Sequence, residues 1–263
     1  MINKNIKGIT LIEILIGIVI SSIMMGAMLT SYNVVNGSYR QVIDKASIGN
    51  SSRTFSDMLL RDIRMAGYKH FDDPLITFED NSNPNIPIEI VKNANNTCCD
   101  RITIVYGDFD RNLADEKRFK RFKVTYSSRA STNENGVFQI LKTIEQWNIV
   151  SENWEDKLEY LETYTNEVVA DFVADIEFIA KDELGNSIIP PPTWNNQNND
   201  QIYSIHTVEV FLTFRSKNEF YNNSRARTIT SLFSTKRDQE NSDRFLREPI
   251  VLNAYTRNLE SFR

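Results

Sequence analysis

Gly8-Ile9-Thr10-Leu11-Ile12-Glu13-Ile14-Leu15-Ile16-Gly17-Ile18-Val19-Ile20 decides how the chain is organised, because it sets one carboxylate inside an apolar run. The run continues to Leu29, and no charged side chain occurs from Ile14 to Tyr39. About 20 apolar residues cross a bilayer as a helix, so this segment is long enough for a span. Lys4 and Lys7 stand before it without any acid, which keeps that end in the cytoplasm by the positive-inside rule. A secretory signal also opens with basic residues and an apolar core. Here Met24-Met25-Gly26-Ala27-Met28 makes a poor small-x-small cut site.

Neither a plain anchor nor a secretory signal explains Glu13. A carboxylate in an apolar membrane helix costs at least about 2.5 kcal/mol unless it is paired or near the interface. If the chain is cut after Gly8, Ile9 carries a new α-amino group and Glu13 lies four residues on. In a packed array of such helices, Glu13 of one subunit would neutralise the Ile9 amine of its neighbour. Loss of that pairing would leave a buried charge.

The run Gly8-Ile9-Thr10-Leu11-Ile12-Glu13 resembles the class III leader and mature start of type IV pilins and secretion pseudopilins. Their usual start is Gly followed by Phe-Thr-Leu-Ile-Glu, so Ile9 is a hydrophobic replacement of the commonest residue. The resemblance implies that a prepilin peptidase cuts between Gly8 and Ile9 and methylates the Ile9 amine. It makes Glu13 the carboxylate of assembly. The expected organisation is a leader over residues 1–8, a transmembrane and filament-core helix over 9–35, and a periplasmic or extracellular head over 36–263.

Beyond Tyr39, apolar residues recur at Val42/Ile43, Ala46, Phe55, Met58/Leu59, Ile63 and Ala66, a spacing that predicts an amphipathic helix. Gly49 and its Ser/Asn neighbours weaken the middle, and Gly67 is a natural stop. Such a helix from Ile9 to Gly67 would extend about 88 Å at 1.5 Å per residue. Strand-like alternation or β-branched enrichment then marks Arg101–Tyr106, Phe119–Tyr126, Val137–Ile144, Asp175–Ala180, His206–Phe214 and Thr228–Ser234. Val168–Val173 reads equally as helix or as strand. The fold class expected is α+β: a long N-terminal helix, membrane-spanning in its first half, on an antiparallel β-sheet head.

Leu60-Arg61-Asp62-Ile63-Arg64-Met65-Ala66-Gly67-Tyr68 resembles the end of the first helix in PilW-type minor pilins. Asp175-Ile176-Glu177-Phe178, with Val208-Glu209-Val210-Phe211-Leu212-Thr213, looks like their shared strand pair. Arg257-Asn258 is similar to the dipeptide on which they close. The minor pseudopilin J of type II secretion shares this layout. The resemblance implies other minor and major pilins, prepilin peptidase and the inner membrane as partners. It also implies single-pass residence in that membrane before entry into a filament.

Catalytic chemistry finds no foothold. His70 and His206 lie far apart and without a placed partner. Neither a phosphate-cradling Gly-rich loop nor H-E-x-x-H occurs, and no cofactor is expected. Asp108-Phe109-Asp110-Arg111-Asn112 begins like a calcium loop, but its sixth position is Leu113 and its twelfth Phe119. Cys98 and Cys99, the only cysteines, are adjacent. They are either reduced thiols or a strained vicinal disulfide, and without nearby His they make a weak metal site.

The formal charge is −5, and loss of Lys4 and Lys7 with the leader takes it to −7. General nucleic-acid affinity needs clustered positive charge and is disfavoured. One local exception is Lys117-Arg118-Phe119-Lys120-Arg121-Phe122-Lys123. Its basic groups and interleaved aromatics fit either contact with DNA or another anionic surface, or lysines guarding an edge strand.

Overall fold

The computed structural model describes residues 9–68, 87–93, 98–109, 119–132, 134, 136–148, 151, 153–156, 163–189, 204–229 and 239–260. The chain divides into two compact units, Met1–Ala46 and Ser47–Arg263, and the helix α1 (Leu11–Met65) contributes to both.

No proline occurs before Pro74, and α1 passes through Gly49 without a break. A single helical glycine costs about 1 kcal/mol relative to alanine, too little to stop a helix held by packing. The buried stripe takes in Asp44, Ile48, Ser52, Phe55, Leu59, Ile63 and Ala66, one face of a 3.6-residue period. The expected stripe was wider: Val42, Ile43 and Ala46 are exposed.

Gly67 ends α1 with φ +73°, the left-handed conformation that glycine takes without steric cost. A Cβ there would come within 2.5 Å of the Leu259 side chain. Leu259 belongs to the short helix α2 (Arg257–Glu260), and Asn258 on the same turn donates to the Arg64 carbonyl at 2.8 Å. The closing dipeptide thus has a local role, since Asn258 satisfies one of the carbonyls that the end of α1 leaves without a helical partner.

The head carries β1 (Ile88–Val91), β2 (Arg101–Phe109), β3 (Phe119–Ala130), β4 (Phe138–Asn148), β5 (Asn153–Glu155), β6 (Tyr164–Lys181), β7 (Thr207–Arg215), β8 (Arg225–Ile229), β9 (Gln239–Asp243) and β10 (Arg247–Tyr255). Among the described residues, one antiparallel sheet has the order β1-β2-β3-β4-β6-β7-β10, with β5 pairing β4. β8 and β9 form a separate two-stranded sheet. This is the expected α+β class.

Val168–Val173 is strand, part of the long β6. Its first half pairs β4 through register shifts and its second half pairs β7. Asn166 and Phe172, both with positive φ, lie in the irregular half, as expected where a bulge bends a strand from one partner to the next. From Val173 to Ala180 every residue is buried. The paired segments foreseen from sequence do meet, Ile176 opposite Leu212 and Phe178 opposite Val210. Strand β8 begins at Arg225 and ends at Ile229, before most of the expected Thr228–Ser234 segment. Thr230–Ser234 lies outside the described residues.

Candidate functional site

Three places concentrate unusual chemistry: the start of α1, the contact between its far end and the sheet, and the basic stretch on β3.

At the start of α1, Gly8 lies outside the described residues and Ile9 is exposed. Thr10 precedes the first helical residue, and both its backbone N–H and its hydroxyl donate to Glu13 Oε2 at 2.8 Å. Glu13 N–H donates back to Thr10 Oγ1 at 3.4 Å. This is a reciprocal capping box, Thr-x-x-Glu, which satisfies amides that a helix start leaves open. Within the single chain Glu13 therefore has a partner in Thr10. The spacing Thr10–Glu13 was the available signal. The following surface is apolar and open: Leu11, Met28, Val35 and Val42 are all exposed. An 18-residue window of this helix has mean hydropathy 2.2 and none of it is buried.

At the other end of α1, Asp62 enters the head. Its Oδ2 accepts from Tyr126 Oη on β3 at 2.6 Å and meets Lys142 Nζ on β4 at 2.6 Å. All three residues are buried, and Lys142 also lies 5.5 Å from the Tyr126 ring centroid. Phe55, two turns earlier on α1, packs edge-on against the same ring at 6.0 Å. A buried carboxylate needs such compensation, since leaving it unpaired is expensive. Burial, then the Asp62 carboxylate, push the Tyr126 phenol far above its ordinary range. Tyr164 is pushed up to about 12, chiefly by burial, then by Glu167 and Asp62. In the sequence Asp62 stood out only as part of a resemblance. A lysine in the middle of a strand gave no sign that it pointed inward.

The basic stretch is divided by the sheet. Lys117 and Arg118 lie outside the described residues. Lys120 stands opposite Asp108 in register, while Arg121 is buried. Lys123 meets Glu145 at 2.7 Å and lies 5.0 Å from the Trp154 ring centroid. The edge-strand expectation fails: β3 runs between β2 and β4, and Phe122–Tyr126 pair on both sides. Lys123 therefore supports a cross-strand pair in the sheet interior. The described basic groups do not form a common open face.

Cys98 and Cys99 occupy the segment before β2, their sulfurs joined as a disulfide, and the Asp175 carboxylate stands beside them. Of the calcium-like loop, Asp108 and Phe109 belong to β2, and Asp110–Asn112 lies outside the described residues.

Residues 3–29 match the family model described as the prokaryotic N-terminal methylation motif. This motif, of the prepilin type, makes the start of the chain similar to that of type IV pilins. Among solved structures, a type IV-like pilin from Thermus thermophilus is similar in fold, with a TM-score of 0.50 at 10% sequence identity. The match covers 81% of this chain and 98% of that one. No curated protein matches the sequence significantly. The chain's apolar helix is consistent with a membrane anchor.

Proposed function

We propose that this pilin-like chain is a minor pilin acting in type IV pilus assembly, in the complex that initiates or tips the filament. Residues 1–8 are its leader, cut by prepilin peptidase between Gly8 and Ile9, and the Ile9 amine is then methylated. Residues 9–35 form the membrane and filament-core helix, and 36–263 form the head outside the inner membrane. Before assembly the chain crosses that membrane once, with Lys4 and Lys7 in the cytoplasm.

The observation that carries this reading is the start of α1, where an exposed apolar surface surrounds a single carboxylate. Outside a membrane that surface is too large to leave in water, so lipid and neighbouring helices are its natural cover. The Thr10 capping box does not remove the assembly role of Glu13. It orients one carboxylate oxygen toward the helix start, where a neighbour's Ile9 amine would arrive.

Two readings of different class remain for the head. As a minor pseudopilin of type II secretion, it would meet exported cargo. As an adhesive or DNA-capturing tip, it would use Lys117, Arg118, Lys120, Arg121 and Lys123. Deleting the gene should abolish piliation and leave protein export intact. Export failure with normal pili would replace the first reading by the pseudopilin one. The Glu13→Ala chain should still be processed but fail to enter filaments. Its normal incorporation would remove the assembly role of Glu13.

A further inference from the structure

The cysteine pair lies at a seam of the head. Asp100 N–H donates to the Ile176 carbonyl at 3.0 Å, and Phe178 N–H donates to Asp100 Oδ2 at 3.1 Å. The segment before β2 is therefore fastened to β6 by backbone groups. Cys99 and Asp175, each one residue before a member of the Asp100–Ile176 bond, are held close by that register. The Cys98 carbonyl accepts from Asn93 Nδ2 at 2.7 Å. Lys92 bridges Asp100 at 2.9 Å and Glu177 at 3.4 Å, holding the neighbouring buried carboxylates in place.

The two sulfurs and a carboxylate oxygen of Asp175 all lie within 4.8 Å of one another. Cys99 and Asp175 are buried and Cys98 is half-buried. We propose that in the dithiol state Cys98, Cys99 and Asp175 bind one divalent cation of the zinc and cadmium class. Two thiolates and one carboxylate are the donors such ions prefer, and three protein ligands leave a fourth position for water. With Zn–S near 2.3 Å, tetrahedral ligands stand about 3.8 Å apart. Binding therefore requires the two sulfurs, joined in the disulfide, to rotate apart to about this separation after reduction.

The disulfide and the metal site exclude each other. Opening the disulfide takes two electrons and two protons, and metal binding then releases one proton from each thiol to solvent. In the test a water-soluble phosphine supplies the electrons and ends as its oxide, its oxygen coming from water. The proposal stands apart from the pilus reading, because it concerns the head alone.

The experiment uses the full chain in detergent, reduced with the phosphine and titrated with Cd²⁺ alone. A thiolate-to-cadmium ultraviolet absorption band should rise and saturate at one equivalent per chain. The unreduced chain, which needs no substitution, should give no band. Asp175→Asn should keep the band but bind at least about tenfold more weakly, and a Cys98→Ser, Cys99→Ser double variant should lose it. Absence of the band in the reduced wild-type chain, with its circular dichroism unchanged, would overturn the proposal. So would a folded Asp175→Asn chain of unaltered affinity, which reduces the site to simple dithiol chelation.

Discussion

The two halves of α1 are one continuous helix with opposite needs. From Leu11 to Ile43 its large apolar side chains are exposed, and its one acid, Glu13, is capped by the neighbouring Thr10. From Ile48 to Ala66 the apolar face Ile48, Phe55, Leu59, Ile63 and Ala66 is buried, and the buried acid Asp62 is held by Tyr126 and Lys142 from two strands. The second half finds its partners within the chain. The first half does not, so its function lies in what else covers it. The length of an apolar run identifies the helix in the first half and a sequence period in the second, but burial distinguishes a core face from a surface awaiting company.

The sharpest way to break this contrast is to strip Asp62 of its buried cation. Lys142→Met leaves the buried carboxylate with Tyr126 and the exposed Arg61, whose Nε lies 3.6 Å from it. It should cost the head about 3–5 kcal/mol, read as a lower denaturant midpoint of the full chain in detergent. A loss below about 1 kcal/mol would mean that water reaches Asp62 freely.

Next comes a matched pair. Leu59→Ala in the buried half should cost about 2–5 kcal/mol, whereas Leu15→Ala in the exposed half should change head stability by less than about 0.5 kcal/mol. Equal costs in the same denaturation measurement would erase the distinction between the halves.

The smallest effect is a pH slope. Tyr126 and Tyr164 both hold their protons more tightly in the fold than at the ordinary phenol value of 10.0. Above that value the unfolded chain loses protons that the native chain keeps, so their stabilisation is fully present below pH 10 and declines above it. Each phenol contributes at most about 1.4 kcal/mol per pH unit in that window. Thermal denaturation between pH 9 and pH 11 should show the decline, and Tyr126→Phe should flatten it in part. An unchanged slope in Tyr126→Phe would mean that Tyr126 is not shielded from solvent.

Much of the fold was legible because its elements are strongly patterned. The helix, its stop at Gly67 and the two strands around Ile176 and Leu212 follow from spacing and punctuation, and the pairing of those strands from the resemblance. β10 escaped notice for a physical reason. It is an edge strand in which Glu248, Pro249 and Asn253 interrupt the apolar pattern, as edge strands tolerate. The site was legible in part. Gly8, Ile9 and Glu13 form a local motif, so neighbouring letters reveal it. The Asp62–Tyr126–Lys142 contact and the approach of Asp175 to Cys98 and Cys99 join residues distant in sequence. Only the packing of the helix on the sheet and the register of the strands bring them together, and a single sequence does not carry either. The basic stretch failed the other way: its letters form a cluster that alternation and burial then divide.

The exposed half of α1 has meaning as an assembly surface only if the leader is removed to free the Ile9 amine. Mass spectrometry of the N-terminus of the chain recovered from its native membrane tests this directly. The account predicts a first residue of Ile9 carrying one methyl group. A chain that begins at Met1, or that is cut beyond Ala27, would contradict it.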